Sequence, residues 1–183
     1  MKAQMIWDFI YYLYSCTNMG AILEKRRLND REINTLVEEI KKFSNPLTGK
    51  KTWKSFKKVY IVTSQKDLIG VCGVRKLNNW IKPGPFVVFQ RYHHQGYGRK
   101  ILEAIVDDYS AENIFIGSRN SAVAKIAVRL GFKEISSFWQ LPNTVKLYLL
   151  GTIFDFFSIN FIKEFIRKKP AQEGPYRFFV KKK

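Results

Sequence analysis

Apolar residues along the chain alternate between short runs with a strand's period of two and longer stretches with a helix's period of 3.6, and this predicts an α/β domain. From Asn29 or Asp30, Ile33, Leu36, Val37 and Ile40 keep helical spacing to about Phe43. Lys41 and Lys42 suit the last turn, and Asn45-Pro46 and Gly49 close the element. A basic loop, Lys50 to Lys58, leads into the β-branched run Val59 to Thr63. Gln65 to Asp67 then turn the chain into Leu68 to Leu77, so the two runs read as a hairpin. Beyond Asn78-Asn79 and Pro83-Gly84-Pro85, the run Phe86-Val87-Val88-Phe89 reads as a buried strand ending near Tyr92. A helix from Gly98 to Tyr109, a strand from Asn113 to Gly117, a helix from Ser121 to Leu130 stopped by Gly131, and a strand from Lys133 to Trp139 follow. The tail reads as an amphipathic helix from Asn143 to Lys168, a linker from Pro170 to Pro175 and a last strand from Tyr176 to Val180. The aromatic-rich start fits either strand or helix, and the first strand is expected at Met5 to Tyr14. The element order implies a mixed sheet, and no internal repeat is visible.

Composition confirms a folded chain: 46% of the 183 residues are apolar and 26% charged, which excludes wholesale disorder. Lys and Arg number 32 against 15 Asp and Glu, so the formal charge is 32 − 15 = +17. Such a surplus calls for an anionic partner: nucleic acid, anionic lipid, acidic protein or a polyphosphorylated cofactor. The two cysteines, Cys16 and Cys72, have no paired spacing, which argues against a zinc site or disulfide framework and for a reducing, cytoplasmic setting. Cys72, in an apolar strand, reads as a small core residue. Met1 to Tyr14 is interrupted by Asp8 and lacks a cleavage site, so it does not read as a signal peptide. Leu147 to Ile162 contains Asp155 and reaches only about 24 Å as a helix, short of a hydrocarbon core of about 30 Å.

Chemistry enters at His93-His94-Gln95-Gly96-Tyr97-Gly98, where a buried strand runs into a glycine turn and a helix start, the outline of a phosphate cradle. Arg99 and Lys100 stand in that helix's first turn and Asp107 and Asp108 in its last, all four against the helix dipole. Each costs roughly 0.3 to 1 kcal/mol at low salt, and an anion bound at the N-terminus would explain the cations; solvated charges are the plain alternative. A dinucleotide-binding turn fits worse, because Ile101 occupies its third glycine position.

The same hexapeptide resembles the acyl-CoA motif of the GNAT superfamily of N-acyltransferases, Arg/Gln-x-x-Gly-x-Gly/Ala, with His93 in place of the usual Arg or Gln. About twenty residues on, Asn120, then Val123, Ile126 and Leu130, then Gly131-Phe132 match that family's second block, with Ala127 where its tyrosine would stand. The resemblance spans roughly Val59 to Trp139. It implies a mostly antiparallel central sheet with helices on both faces. A single domain is expected over 1–183, with a core at about 59–139, an inserted helix and linker at 140–175, and a last strand with a basic tail at 176–183.

The resemblance also implies acetyl-CoA, or another acyl-CoA, as co-substrate, with no metal. Phe86, Val87 and Val88 would bind the pantetheine arm and polarise the thioester carbonyl. His93, His94, Gln95, Gly96, Tyr97, Gly98 and Arg99 would hold the pyrophosphate, and Asn120 would belong to the same site. Acyl transfer to a primary amine by direct attack needs an oxyanion donor and a proton for the leaving thiolate. Alanine cannot supply that proton, so Ser121, Tyr97, another tyrosine or solvent are the candidates. The fourth strand offers no acidic residue as base, which leaves Glu24, Asp67, His93 and His94.

In the tail, Leu147, Leu150, Phe154, Phe157, Phe161 and Phe165 trace one helical stripe that could pack on the sheet, lid the site, form a dimer face or lie on an anionic membrane. Coenzyme A alone does not account for +17, so the acceptor could be linked to nucleic acid. The competing reading is a basic nucleic-acid-binding or nucleic-acid-modifying protein on a GNAT scaffold with altered or lost acetyl transfer.

Overall fold

The computed structural model describes residues 20–42, 49–65, 67–156 and 175–183. The strand expected at Met5 to Tyr14, the Asn45-Pro46 breaker and the tail helix beyond Phe156 lie outside the described residues.

The strands are β1 (Ala21–Arg26), β2 (Val59–Ser64), β3 (Asp67–Leu77), β4 (Trp80–Val88), β5 (Asn113–Ser118), β6 (Lys133–Ile135) and β7 (Arg177–Lys181). The helices are α1 (Asp30–Lys42), α2 (Lys50–Lys54), α3 (Tyr97–Asp108), α4 (Ser121–Arg129) and α5 (Asn143–Phe156). The strands form one sheet in the order β1-β2-β3-β4-β5-β7-β6, antiparallel throughout except for the β4–β5 pair. Helices cover both faces. On one, Ile101, Leu102 and Ile105 of α3 and Ala124 and Ala127 of α4 pack on Tyr60, Val62, Ile69, Cys72 and Ile81. On the other, Ile33, Leu36 and Ile40 of α1 and Trp53 of α2 cover Val59, Ile61 and Val71, while Leu141 and Val145 cover Phe115 and Val180.

α1 starts where the sequence places it, through a reciprocal cap: Asn29 Oδ1 accepts from Glu32 N and Glu32 Oε2 accepts from Asn29 N, both at 2.8 Å. Other boundaries differ from expectation. The stretch before Asn29 contains an edge strand, β1, whose charged Glu24, Lys25 and Arg26 are of the kind that keeps an edge from pairing further. The basic loop at Lys50 to Lys58 contains the short helix α2, because Trp53 is an anchor only 1% exposed. β4 begins at Trp80 and runs through Pro83-Gly84-Pro85 instead of starting after it. Cys72 pairs with Phe86 and Val74 with Pro83, so Gly84 and Pro85 together oppose Gly73 in a bulge, a place where a strand tolerates proline. β6 stops at Ile135, and a 3-10 turn over Phe138–Gln140 replaces the rest of that expected strand.

Of the tail stripe, Leu147 and Leu150 do not pack on the sheet, being 70% and 43% exposed, while Leu141 just before α5 and Val145 and Leu149 within it do; the phenylalanines of the stripe lie outside the residues whose side chains are described. No helix among the described residues is long and apolar enough to cross a membrane.

Candidate active site

β4 and β5 share a ladder only at Trp80–Asn113 and Ile81–Ile114, after which they part, while the ladder between β3 and β4 continues to Gly70–Val88. The bulge at Gly84-Pro85 bends β4 where the gap opens. Backbone direction follows from one bond: Phe89 N donates to Ile69 O across β3 at 2.9 Å. Successive residues of a strand alternate, so Val87 also faces β3, whereas the amides of Phe86 and Val88 face the gap. A Cβ at Gly70 would lie 3.1 Å from Val87 O, which agrees. Two of the three strand residues expected to meet a thioester therefore have their amides in the gap, and Val87 does not. His93 Nε2 lies 2.9 Å from the Val88 carbonyl. A carbonyl only accepts, so that nitrogen carries the proton.

α3 starts beside this gap. Gly96 has φ +83°, a left-handed turn suited to glycine, and the first helical bond runs from Lys100 N to Gly96 O. The amides of Tyr97, Gly98 and Arg99 therefore precede the helical ladder at the positive end of the dipole. A Cβ at Gly98 would be in ordinary contact with the Phe86 ring at 3.4 Å and with Val88 at 3.7 Å, so the helix start lies directly against β4.

On the opposite face of the sheet the gap holds a second group of residues. Lys82, the first β4 residue beyond the β4–β5 ladder, pairs across β3 with Arg75. Its Nζ lies 5.4 Å from the centre of the Tyr148 ring, and burial together with the charge of Arg75 pushes its pKa down to about 8. On β5, a Cβ at Gly117 would lie 2.7 Å from Tyr176 Oη, so the hydroxyl is turned in over β5 and desolvation there raises its pKa, while the residue as a whole is 46% exposed.

No family model matches the chain, and no curated protein matches it by sequence. Solved structures do match its fold. The ribosomal-protein-S18-alanine N-acetyltransferase of Escherichia coli superposes with a TM-score of 0.56 at 14% identity, covering 87% of this chain and 91% of that one. An acetyltransferase from Streptococcus agalactiae gives 0.60 at 13% identity over 90% of this chain and 99% of its own. The diaminobutyrate acetyltransferase of Paenibacillus lautus, solved with L-2,4-diaminobutyric acid and coenzyme A, gives 0.56 at 12% identity over 88% and 95%. The chain has the GNAT fold.

Within this GNAT fold the expected site residues divide. Phe86, Val88, Gly96, Gly98 and the first amides of α3 converge on one gap. His94 (φ +64°) is an exposed loop residue, and Gln95 donates to Arg91 O at 3.1 Å. Tyr97 is 6% exposed and packed edge-on against Tyr92, which makes it a core residue and a poor proton donor. Asn120 caps α4, its Oδ1 accepting from Ala122 N at 2.8 Å. Ser121 is exposed at the first position of α4, and Ala127 is wholly buried under that helix.

Three of the four charges that oppose the α3 dipole have partners in the chain itself. Arg99 pairs with Glu103 at 2.6 Å, and Lys100 donates to Ala21 O at 3.2 Å. Asp108 accepts from Tyr60 at 2.6 Å and from Lys25 at 2.9 Å, and these hydrogen bonds hold its carboxyl low. They do not by themselves require a bound anion. The two carboxylates among the base candidates are occupied as well: Glu24 pairs with Arg26 on the outer strand, and Asp67 pairs with Arg91 and accepts from the Tyr92 hydroxyl. Among the described residues no three His, Cys, Asp or Glu side chains gather as a metal site.

Sequence reasoning missed Arg75, Lys82, Tyr148 and Tyr176. Lys82 adjoins Pro83-Gly84-Pro85, which reads as a break between elements, and only the three-dimensional register shows that β4 passes through it.

Proposed function

We propose that the protein is an acyl-CoA-dependent N-acyltransferase that moves an acetyl or other short acyl group to a primary amine by direct attack in a ternary complex. One observation carries this reading: β4 leaves β5 after Ile81 and turns the amides of Phe86 and Val88 into a gap that ends at the left-handed glycine start of α3. The residues fit the cofactor, because the left-handed turn at Gly96 leaves the amides of Tyr97, Gly98 and Arg99 outside the helical ladder at the start of α3, where phosphate oxygens can accept from them. When bound, acyl-CoA supplies an activated acyl group on a thiol of ordinary pKa about 8.5.

The chain's own groups divide the work. The amides of Tyr97, Gly98 and Arg99 receive phosphate oxygens at the helix N-terminus. One of the two gap-facing amides, Phe86 or Val88, donates to the acyl oxygen, more strongly as it gains charge, and such a donor contributes about 2.7 to 4 kcal/mol in well-studied cases; the other, roughly 7 Å along the strand, is left for the pantetheine arm. Ala127 supplies no proton. The Tyr176 hydroxyl, over Gly117 at the edge of the gap, is the protonated group the fold offers instead.

The test is acyl-CoA-dependent acylation of a panel of primary amines, read by mass spectrometry of the product and by release of free thiol. Turnover above the rate of acyl-CoA hydrolysis supports the reading, and its absence for every amine in protein that binds acyl-CoA argues for a scaffold that only binds.

A nucleic-acid-linked acceptor is a second reading, favoured by Lys50, Lys51, Lys57 and Lys58, which are exposed and outside the ion pairs described. It predicts RNA or DNA binding that weakens steeply with salt. No binding at low salt removes it.

A further inference from the structure

We propose that the acceptor amine carries an anionic group, a carboxylate or a phosphate, and that Lys82 and Arg75, bordered by Tyr148 and Tyr176, form its seat on the face of the β4–β5 gap opposite α3. This rests on the acyltransferase reading and names the substrate class for it.

The geometry begins with two cations where a sheet ordinarily avoids them. Arg75 and Lys82 are direct cross-strand partners on one face, and like charges in that relation repel. Neither belongs to an ion pair among the described residues. The nearby carboxylates serve other cations: Glu112 binds Lys76, Asp30 binds Lys54 and Asp108 binds Lys25. Aromatic rings steady both cations instead, with the Arg75 guanidinium 5.3 Å from the Phe56 centroid and Lys82 Nζ 5.4 Å from that of Tyr148. A ring face orients a cation without neutralising it or using its N–H donors. A half-buried ammonium left in that state is costly unless something pairs with it.

The seat has room. Among the described residues, a Cβ placed at Gly84 would meet Lys82 Nζ alone within 4 Å, at 3.6 Å, which puts the ammonium at the rim of the space over Gly84. Across the gap the Tyr176 hydroxyl stands over Gly117 of β5, and Arg119 lies within electrostatic reach of it. Among the described residues the titratable groups around Lys82 are Arg75 from β3, Tyr148 from α5, with Tyr176 beside Tyr148, and, from β3's other face, the Cys72 thiol, which burial pushes up to about 12.

From Gly84 to Phe86 is two residues, or roughly 7 Å of strand. An acceptor that touches Lys82 with its anion and presents its amine near the Phe86 amide therefore has a few bonds between the two groups. A small amino acid or an aminoalkyl phosphate has that form.

The direct test uses the full chain with ε-13C-labelled lysine, the Lys82 signal being assigned by its absence in Lys82→Arg. Its titration midpoint is followed with and without saturating β-alanine, O-phosphoethanolamine or the uncharged control ethanolamine. The expected result is a midpoint raised by at least one pH unit with an anionic amine and unmoved by ethanolamine; which anion raises it tells carboxylate from phosphate. A midpoint that neither anionic amine moves overturns the proposal, whether or not acyl transfer is observed.

The kinetic arm compares β-alanine with β-alaninamide, and O-phosphoethanolamine with ethanolamine, at equal concentrations of unprotonated amine. A lost charge-assisted hydrogen bond corresponds to roughly tenfold to hundredfold. Lys82→Met should therefore lower kcat/KM for the preferred anionic amine by that factor and bring the anionic-to-neutral ratio toward one. An unchanged ratio in Lys82→Met overturns the proposal. So does a wild type that uses the neutral isostere equally well, since Lys82 would then serve as a proton acceptor. If no amine is acylated and acyl-CoA does not bind, the acyltransferase reading fails alone and the titration still decides the seat.

Discussion

Replacing Lys82 by Met should make the unliganded protein more stable. In the fold the lysine's pKa falls from 10.5 to about 8, so holding the ammonium there costs roughly 3 kcal/mol relative to the unfolded chain. The cause is burial first and the positive charge of Arg75 second. Met keeps the length and apolar stem without the charge. Allowing for imperfect packing of the new methyl group, a gain of about 1 to 3 kcal/mol is expected at pH 7. The sign of the pH dependence is fixed by linkage. Below about 8 both states are protonated and the full penalty is present; between there and about 10.4 the unfolded state binds more protons, so wild-type stability rises with pH. The advantage of Lys82→Met should thus shrink across that window and be nearly gone at its upper end. Urea unfolding followed by tryptophan fluorescence, with Trp53 and Trp80 as buried reporters, measures this at both ends. A variant less stable than wild type at pH 7, or a gain of equal size at both pH values, would refute the reasoning. A residue kept against the fold's own stability is what a binding site requires.

Other outcomes follow from single contacts. Gly73→Ala places a Cβ 2.6 Å from the Phe56 ring, which is itself packed against Trp53, and should lose about 1 to 3 kcal/mol in urea unfolding. Asn29→Ala removes the α1 cap and should lose about 1 kcal/mol. Arg26 and the Asn29 amide hold the Glu32 carboxyl low; its contribution is complete above the ordinary carboxylate value of about 4.3 and disappears as pH falls through its lower folded value, so Glu32→Gln should flatten the acid limb of the stability profile. Ala127→Tyr restores the tyrosine found in related motifs but inserts a ring where the side chain is wholly buried, and should lower the melting temperature without raising turnover.

The sequence was most legible where one element satisfies itself locally. The Asn29 cap, the α3 face of Ile101, Leu102, Ile105 and Val106, and the hairpin of β2 and β3 follow from spacing and turn residues alone. The glycine start of α3 beside the gap was legible for the same reason, since Gly96 acts through backbone conformation. The opposite side of the gap was not. Lys82 gains its meaning from a bulge that carries β4 through two prolines, from Arg75 across the strand, and from Tyr148 and Tyr176 far along the chain. Likewise the inverted charges of α3 suggest an anion until Lys25, Tyr60 and Ala21 are seen beside them. Leu147 and Leu150 keep helical spacing with the phenylalanines after them, yet contacts of Leu141 and Val145 set which side of α5 meets the sheet.

The central claim, that the gap between β4 and β5 together with the start of α3 receives acyl-CoA, is tested most directly by titrating acetyl-CoA into the full chain by calorimetry, beside Gly96→Glu. The variant puts a carboxylate at the helix start and a side chain at φ +83°, a conformation that costs an L-residue about 1 to 2 kcal/mol. A melting curve confirms that it folds. The account predicts micromolar binding by the wild type, weakened at least a hundredfold in the folded variant. No binding by the folded wild type, or equal binding by both proteins, contradicts it.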